Sequence, residues 1–359
     1  MDALEQPLRF RCGLELPQRI AMAPLTNTQS EPDGTLGEPE LRWLERRARD
    51  GFPWVSTCAA FVSEEGHAWR GQLGIASDEH LPGLTRLATA LHEHGAKAVV
   101  QLHHAGAKAA VAPERLSTGG PPGARAATRE DLERVVADYV AAARRAETAG
   151  FDGVEIHGAN GYIFTQFLAP LDNPRDDDYG GSLDNRARLL RQAFRAVRDA
   201  VSPGFAVGVR LSPVDAWTKR GLILDDGVQV GRWLAEDGSD FLHLSLTDAS
   251  GEPPHEFGKP PVVRAFRDAI PEDVPIFAVG GIWTREDALL AVETGADVIV
   301  LGRASIAHPD WPSASARPDF EPKRPMWSVD FLRSVDVGEP LIRYLMGFPG
   351  TVEGGRPGR

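Results

Sequence analysis

The chain has 359 residues, 42% of them hydrophobic and 25% charged, a length ordinary for one α/β barrel and enough apolar material for a large core. Its net charge of −12 and pI near 5.4 argue against nucleic acid and anionic membranes as main partners, while leaving room for a local basic pocket. Two widely separated cysteines, Cys12 and Cys58, argue against a disulfide framework; no apolar run suggests a signal peptide or a membrane span, so a cytoplasmic setting is expected.

From the N-terminus onward, apolar runs of strand length recur at 19–25, 54–61, 98–103, 153–157, 206–211, 241–246, 275–280 and 297–302. Short, β-branched, near-continuous apolar runs read as strands of a sheet covered on both faces. Helical patterns lie between them at 78–94, 128–149, 182–201, 225–236 and 284–294. Thr128 and Ser182 supply N-cap side chains, and Gly95, Gly150 and Pro203 supply stops. Strands alternating with helices predict an α/β protein, a single-domain (β/α)8 TIM barrel. The barrel is assigned to residues 1–326. Residues 327–359 are expected to form a helix over 329–346 and a tail frayed from 352. With Trp327, Phe331, Tyr344 and Phe348, this segment would pack on the barrel or on a neighbouring subunit, so a monomer and a homodimer are both open. The stretch 309–325 reads as a proline-rich surface crossing. Two Pro/Gly-rich loops, 107–126 and 247–261, would overhang the barrel mouth, the second carrying His255 and Phe257.

In such a barrel the active site lies at the C-terminal strand ends, and polar residues gather there. Thr26 follows the first strand, Ala59 ends the second, Gln101, His103 and His104 end the third, and Arg210 and Ser212 end the fifth. After the fourth strand comes Glu155-Ile156-His157-Gly158-Ala159-Asn160-Gly161-Tyr162. His157 and Asn160 can both donate to one oxygen, and Tyr162 can give up a proton. That trio suits polarising a carbonyl and protonating the carbon beside it. Gly280 and Gly281 after the seventh strand, and Gly302 and Arg303 after the eighth, each lead into a helix. Glycines there let backbone N–H groups approach a phosphate, and Arg303 adds charge. No metal is expected: His92-Glu93-His94 lacks zinc spacing, and His103 and His104, adjacent on a strand, face opposite ways.

At these residues the chain resembles the Old Yellow Enzyme family of FMN-dependent ene-reductases. The likeness runs from about Leu8 to about Pro309 and rests on three segments: 19–26, 155–162, and 173–186 with its Asn-Pro-Arg-Asp-Asp-Asp-Tyr-Gly-Gly-Ser run. The resemblance implies tightly bound, non-covalent FMN with NADPH or NADH as reductant. Pro24, Thr26 and Ala59 would contact the flavin ring, Thr26 near O4. Gln101 would pair with the pyrimidine edge, and Arg210 would lie by N1 and O2, where negative charge collects on reduction. Gly280, Gly281, Gly302 and Arg303 would hold the phosphate.

The same likeness implies that an α,β-unsaturated carbonyl compound, an enone or enal, is the small-molecule substrate. His157 and Asn160 would bind its oxygen, hydride would pass from flavin N5 to the β-carbon, and Tyr162 would protonate the α-carbon. The chain departs from some family members, which carry cysteine at Thr26 and an aromatic at Thr28. With only two cysteines it does not offer the iron–sulfur cluster of the larger dienoyl-CoA reductases, and a single-domain ene-reductase is expected rather than one with a second flavin domain. Two other readings are a lyase or isomerase barrel acting on a phosphorylated substrate, and a flavin-binding barrel without turnover. The first needs a strand-end lysine or carboxylate pair that the sequence does not offer.

Overall fold

The computed structural model of the protein describes residues 2–214, 220–250 and 261–356. Eight parallel strands close into a barrel: β1 Ile20–Met22, β2 Trp54–Phe61, β3 Lys97–His103, β4 Gly153–Gly158, β5 Ala206–Leu211, β6 Phe241–Ser245, β7 Ile276–Val279 and β8 Val298–Leu301. Each strand pairs with its successor, and β8 closes on β1 through Ile299 to Ile20 and Leu301 to Met22. This is the (β/α)8 TIM barrel.

The main helices are α1 Glu38–Arg49, α2 Leu81–Glu93, α3 Arg129–Thr148, α4 Leu183–Ala200, α5 Leu224–Glu236, α6 Val262–Ala269, α7 Arg285–Thr294 and the short α8 Arg303–Ala307. Their starts follow from capping chemistry. Thr128 with Asp131 and Thr284 with Asp287 form capping boxes at α3 and α7, and the Ser182 hydroxyl accepts the Asn185 N–H at α4. Such caps satisfy N–H groups that have no intrahelical acceptor.

Four helices were not expected from the sequence, one of them the short Trp311–Ala314. α1 carries its own signals, with Pro39 near the start, Glu38 and Glu40 in the first turn, and Arg46, Arg47 and Arg49 in the last. α6 and a short helix at Ile163–Leu168 were also unread. The first strand is shorter than 19–25, because only Ile20–Met22 have ladder partners.

The C-terminal reading needs correction. Residues 329–346 form two helices, Val329–Ser334 and Glu339–Leu345, because Asp336 turns with φ +58° and Gly338 starts the second. The segment lies on its own barrel. Gly338 donates to the Gln29 side chain at 2.9 Å, the Thr28 hydroxyl donates to the Pro340 carbonyl at 3.2 Å, and Leu341, Ile342 and Leu345 are buried. The tail is not frayed at 352: Val352 is buried and bridges to Trp327. Nor is 309–325 only a surface crossing, since Trp311 in the short helix Trp311–Ala314 is fully buried and donates to the Trp283 carbonyl at 2.8 Å. Within 107–126, Leu116–Ser117 pairs with Arg125–Ala126. His255 and Phe257 lie outside the described residues.

The N-terminal end of the barrel is plugged. A hairpin of Leu8–Arg9 and Glu15–Leu16 places Phe10 against Trp54, Phe241 and Phe277. Gly208 pairs with Phe241 in register, and a Cβ there would strike the Phe241 ring, so the glycine leaves the space that the ring fills. No helix among the described residues is long and apolar enough to cross a membrane.

Candidate active site

The parallel register sets the inner layer of the mouth. Gln101 on β3 pairs with Glu155 on β4, and His157 on β4 pairs with Arg210 on β5, which pairs with His243 on β6. All five side chains are buried. Gln101 Nε2 donates to Glu155 Oε1 at 2.6 Å, and His243 Nδ1 donates to Glu155 Oε2 at 2.7 Å. Burial alone would raise the Glu155 carboxyl. Interactions with His243, the charge of Arg210 and the Gln101 hydrogen bond outweigh it and hold the carboxyl below its usual value. Burial keeps His243 neutral against the pull of Glu155. The carboxylate thus compensates Arg210, whose burial works against its charge. Sequence reasoning named Glu155 only as an acid and did not single out His243; its spacing of two residues from Phe241 on a strand is the signal that it faces inward.

Arg210 bonds the Ser245 hydroxyl at 3.1 Å and the Pro24 carbonyl at 3.4 Å, while its Nε–H is buried without a partner. A cation fixed between β1 and β6 with a donor to spare suits an acceptor-rich ring edge. Pro24 is buried and Thr26 is half-buried on the loop after β1. Ala59 is buried beside the register shift between Ser56 and Ala59, a bulge that re-aims the end of β2. The Thr57 hydroxyl in that bulge accepts the Gln101 N–H at 3.3 Å. Ala59 and Gln101 are register partners at the ends of β2 and β3, and the bulge beside them is not legible in the sequence.

Gly280 and Gly281 have φ +148° and +67°, and a Cβ on Gly280 would meet the Leu246 carbonyl and Asp248 N–H. Only glycine lets this turn pass so close to the β6 loop. Gly302 N-caps α8. The N–H groups of Gly281, Gly302 and Arg303 bond to no carbonyl among the described residues, and the Arg303 guanidinium lies 5.8 Å from the Trp283 ring centre. Free N–H donors and an arginine at neighbouring strand ends suit a phosphate. The donor sets at the two ends of this mouth therefore fit the FMN that the sequence resemblance implies.

His157, Asn160 and Tyr162 come together on the β4 loop. His157 is 3% exposed and neutral: burial first, then its neighbours His103, Arg210 and His243, each of which would repel a second positive charge, lower its pKa well below the ordinary histidine value. Its Nδ1 accepts the Ala159 N–H at 3.2 Å, which leaves the single ring proton on Nε2. Asn160 is exposed and left-handed, with φ +59°. It is held by its N–H to the Ser212 hydroxyl at 2.9 Å, and its carbonyl accepts from Lys108 Nζ at 2.8 Å. Its Oδ1 accepts from the Ser245 hydroxyl at 3.2 Å, which fixes the amide orientation, and no hydrogen bond of its NH2 is made to the described residues.

The Tyr162 ring stands edge-to-face with His157 at 5.0 Å and with His103 at 4.3 Å. Burial chiefly, then Tyr344, pushes its phenol up to about 12, so it is protonated at neutral pH. Tyr344, on the C-terminal helix, lies within hydrogen-bonding reach of Thr26, which brings that helix to the mouth. Among the described residues, no three His, Cys, Asp or Glu side chains are grouped to hold a metal.

A family model described as the NADH:flavin oxidoreductase / NADH oxidase family matches residues 3–317. The chain is 36% identical over 324 residues to the Bacillus subtilis (strain 168) protein described as "Probable NADH-dependent flavin oxidoreductase YqiG", covering 86% of each. It is 35% identical to an "NADH:fumarate oxidoreductase" of Klebsiella pneumoniae (strain 342), of which it spans only 35%. The structure superposes on an old yellow enzyme homologue from Zymomonas mobilis with a TM-score of 0.79 at 27% identity, covering 92% of this chain and 96% of that one.

Proposed function

Because the chain belongs to the NADH:flavin oxidoreductase / NADH oxidase family, the Old Yellow Enzyme family of FMN-dependent NAD(P)H oxidoreductases, we propose that it reduces the activated C=C bond of α,β-unsaturated carbonyl compounds. The observation that carries this reading is the hydrogen-bond state of the β4 loop. His157 offers an Nε2–H, Asn160 offers an amide NH2 whose orientation is set by Ser245 at its Oδ1, and a protonated Tyr162 stands beside them. Two donors converging on a carbonyl oxygen draw electron density from the β-carbon, and preorganised donors of this kind contribute on the order of 10²–10³ in rate.

FMN, when bound, accepts a hydride from NAD(P)H and supplies it to the substrate. Pro24, Thr26, Ala59, Gln101 and Arg210 are the residues we assign to its ring, and Gly280, Gly281, Gly302 and Arg303 those we assign to its phosphate. The protein's own tasks are then three. His157 and Asn160 hold and polarise the oxygen. Tyr162 gives its proton to the α-carbon as hydride reaches the β-carbon. The buried Arg210, compensated by Glu155, keeps positive charge where electrons accumulate. NADH and the enone would use the one mouth in turn.

The test separates the two half-reactions. In anaerobic stopped flow, Tyr162→Phe should slow enone reduction by the reduced enzyme by about 10²-fold, the scale of general acid catalysis. Flavin reduction by NAD(P)H should stay near wild type. Equal losses in both would contradict the proton-donor role.

A further inference from the structure

We propose that His103, together with Lys108, is a positioning residue for Tyr162: both direct positively polarised N–H groups at the phenol ring and make it a better proton donor. The inference rests on the reading of Tyr162 as that donor. His103 ends β3 and is fully buried. Its Nδ1 accepts from Gln72 Nε2 at 3.0 Å, which leaves the proton of the neutral ring on Nε2. That buried N–H has no hydrogen-bond partner among the described residues. Unpaired buried donors are uncommon, and each calls for an explanation.

The ring closest to His103 is that of Tyr162, with centroids 4.3 Å apart and planes at 81°, against 5.4 Å to His157 and 5.7 Å to Trp69. A perpendicular pair this close lets the Nε2–H use the negative face of the Tyr162 ring as its acceptor, and that is the contact we assign to it. Lys108 approaches the same ring from the following loop, its Nζ 4.9 Å from the centroid while it donates to the Asn160 carbonyl. An ammonium held there is a cation–π partner. Burial and then Arg220 lower the Lys108 pKa, while Asp172 opposes them.

Both contacts favour phenolate over phenol, because the ring they touch becomes more electron-rich as the proton leaves. The step they assist balances simply. As hydride forms the new C–H bond at the β-carbon, the π electrons of the C=C bond pass to the α-carbon. They form a second C–H bond with the proton of Tyr162 Oη, and the O–H bond breaks. The phenolate is then reprotonated from water. The other titratable groups that act on Tyr162 are His157 on β4, Arg210 on β5 and Tyr344 on the C-terminal helix. None is altered in the variants below.

The chain has four tyrosines, so holoenzyme labelled with 3-fluorotyrosine gives four ¹⁹F resonances, and Tyr162→Phe identifies one of them. His103→Phe keeps a buried ring and should weaken the acidity of the Tyr162 phenol by about threefold to fivefold. Lys108→Met should weaken it by about threefold to tenfold; this exposed position carries the test if the buried variant does not fold. The oxidative half-reaction should slow by the same factors with a larger solvent isotope effect, while flavin reduction by NAD(P)H holds. An unmoved Tyr162 resonance in the folded variants, or equal slowing of both half-reactions, would overturn the proposal. Should Tyr162→Phe itself leave enone reduction unchanged, the parent reading fails, whereas the shift of the resonance reports on His103 and Lys108 independently.

Discussion

At the N-terminal end of the barrel, Phe10, Trp54, Phe241 and Phe277 fill the interior with ring centroids 4.8 to 6.2 Å apart. Towards the other end, strands β3 to β6 hold Gln101, Glu155, Arg210 and His243, equally buried but joined by hydrogen bonds and charge. On β6 the change takes two residues, from Phe241 to His243. Both ends exclude water, so burial alone does not mark the site. Among the described residues, the polar end leaves the buried Arg210 Nε and His103 Nε2 without partners. An unmet buried donor opposes folding, and at the mouth these two lie where a ligand can meet them. The floor stabilises the barrel, and the mouth holds polar groups in readiness for a ligand.

Substitutions at the two ends should therefore separate stability from activity. The largest effect belongs to the floor. Trp54→Ala removes the ring that touches Phe10, Phe241 and Phe277, and should lower unfolding stability by about 3–5 kcal/mol in chemical denaturation. Activity per folded molecule should stay near wild type; a loss of activity without a loss of stability would erase the distinction.

At the mouth, Asn160→Gly keeps the left-handed backbone that φ +59° requires and removes only the amide. We expect stability within about 1 kcal/mol of wild type and kcat/KM for an enone down by about tenfold or more, the scale of one lost donor. A stability loss that accounted for the whole drop would place Asn160 with the scaffold.

The smallest effect concerns pH. Burial, then Arg134, lowers His104 to about 4, so the folded state keeps it neutral while the unfolded chain protonates near the ordinary histidine value. The unfolded state then binds more protons, so this stability is complete above about pH 6.5 and is lost as pH falls towards 4. His104→Gln should flatten that slope in Tm by a few degrees at most. An unchanged slope would mean that His104 is not the group responsible.

The barrel was legible because its strands are apolar runs separated by capped helices, a local pattern that sequence carries well. Gln101 and His103, two apart on β3, could be read as sharing a face, and the His157–Tyr162 cluster lies within six residues. What escaped depends on contacts distant in sequence. Phe10 meets Phe241 only after the barrel closes. Glu155 finds its partner on His243, 88 positions on. The two C-terminal helices read as one because Leu332, Leu341 and Leu345 continue an apolar pattern across the turn at Asp336. Tyr344 reaches Thr26 only because that turn redirects the chain.

The most direct test of the central claim is anaerobic stopped-flow mixing of the reduced holoenzyme with 2-cyclohexenone, comparing wild type with the His157→Ala/Asn160→Ala double variant. If the mouth is a carbonyl clamp, the double variant should retain its flavin and its reduction by NAD(P)H. It should reoxidise with the enone at least about 10³-fold more slowly, the combined scale of two lost donors. A double variant that reduced the enone as fast as wild type would contradict the account.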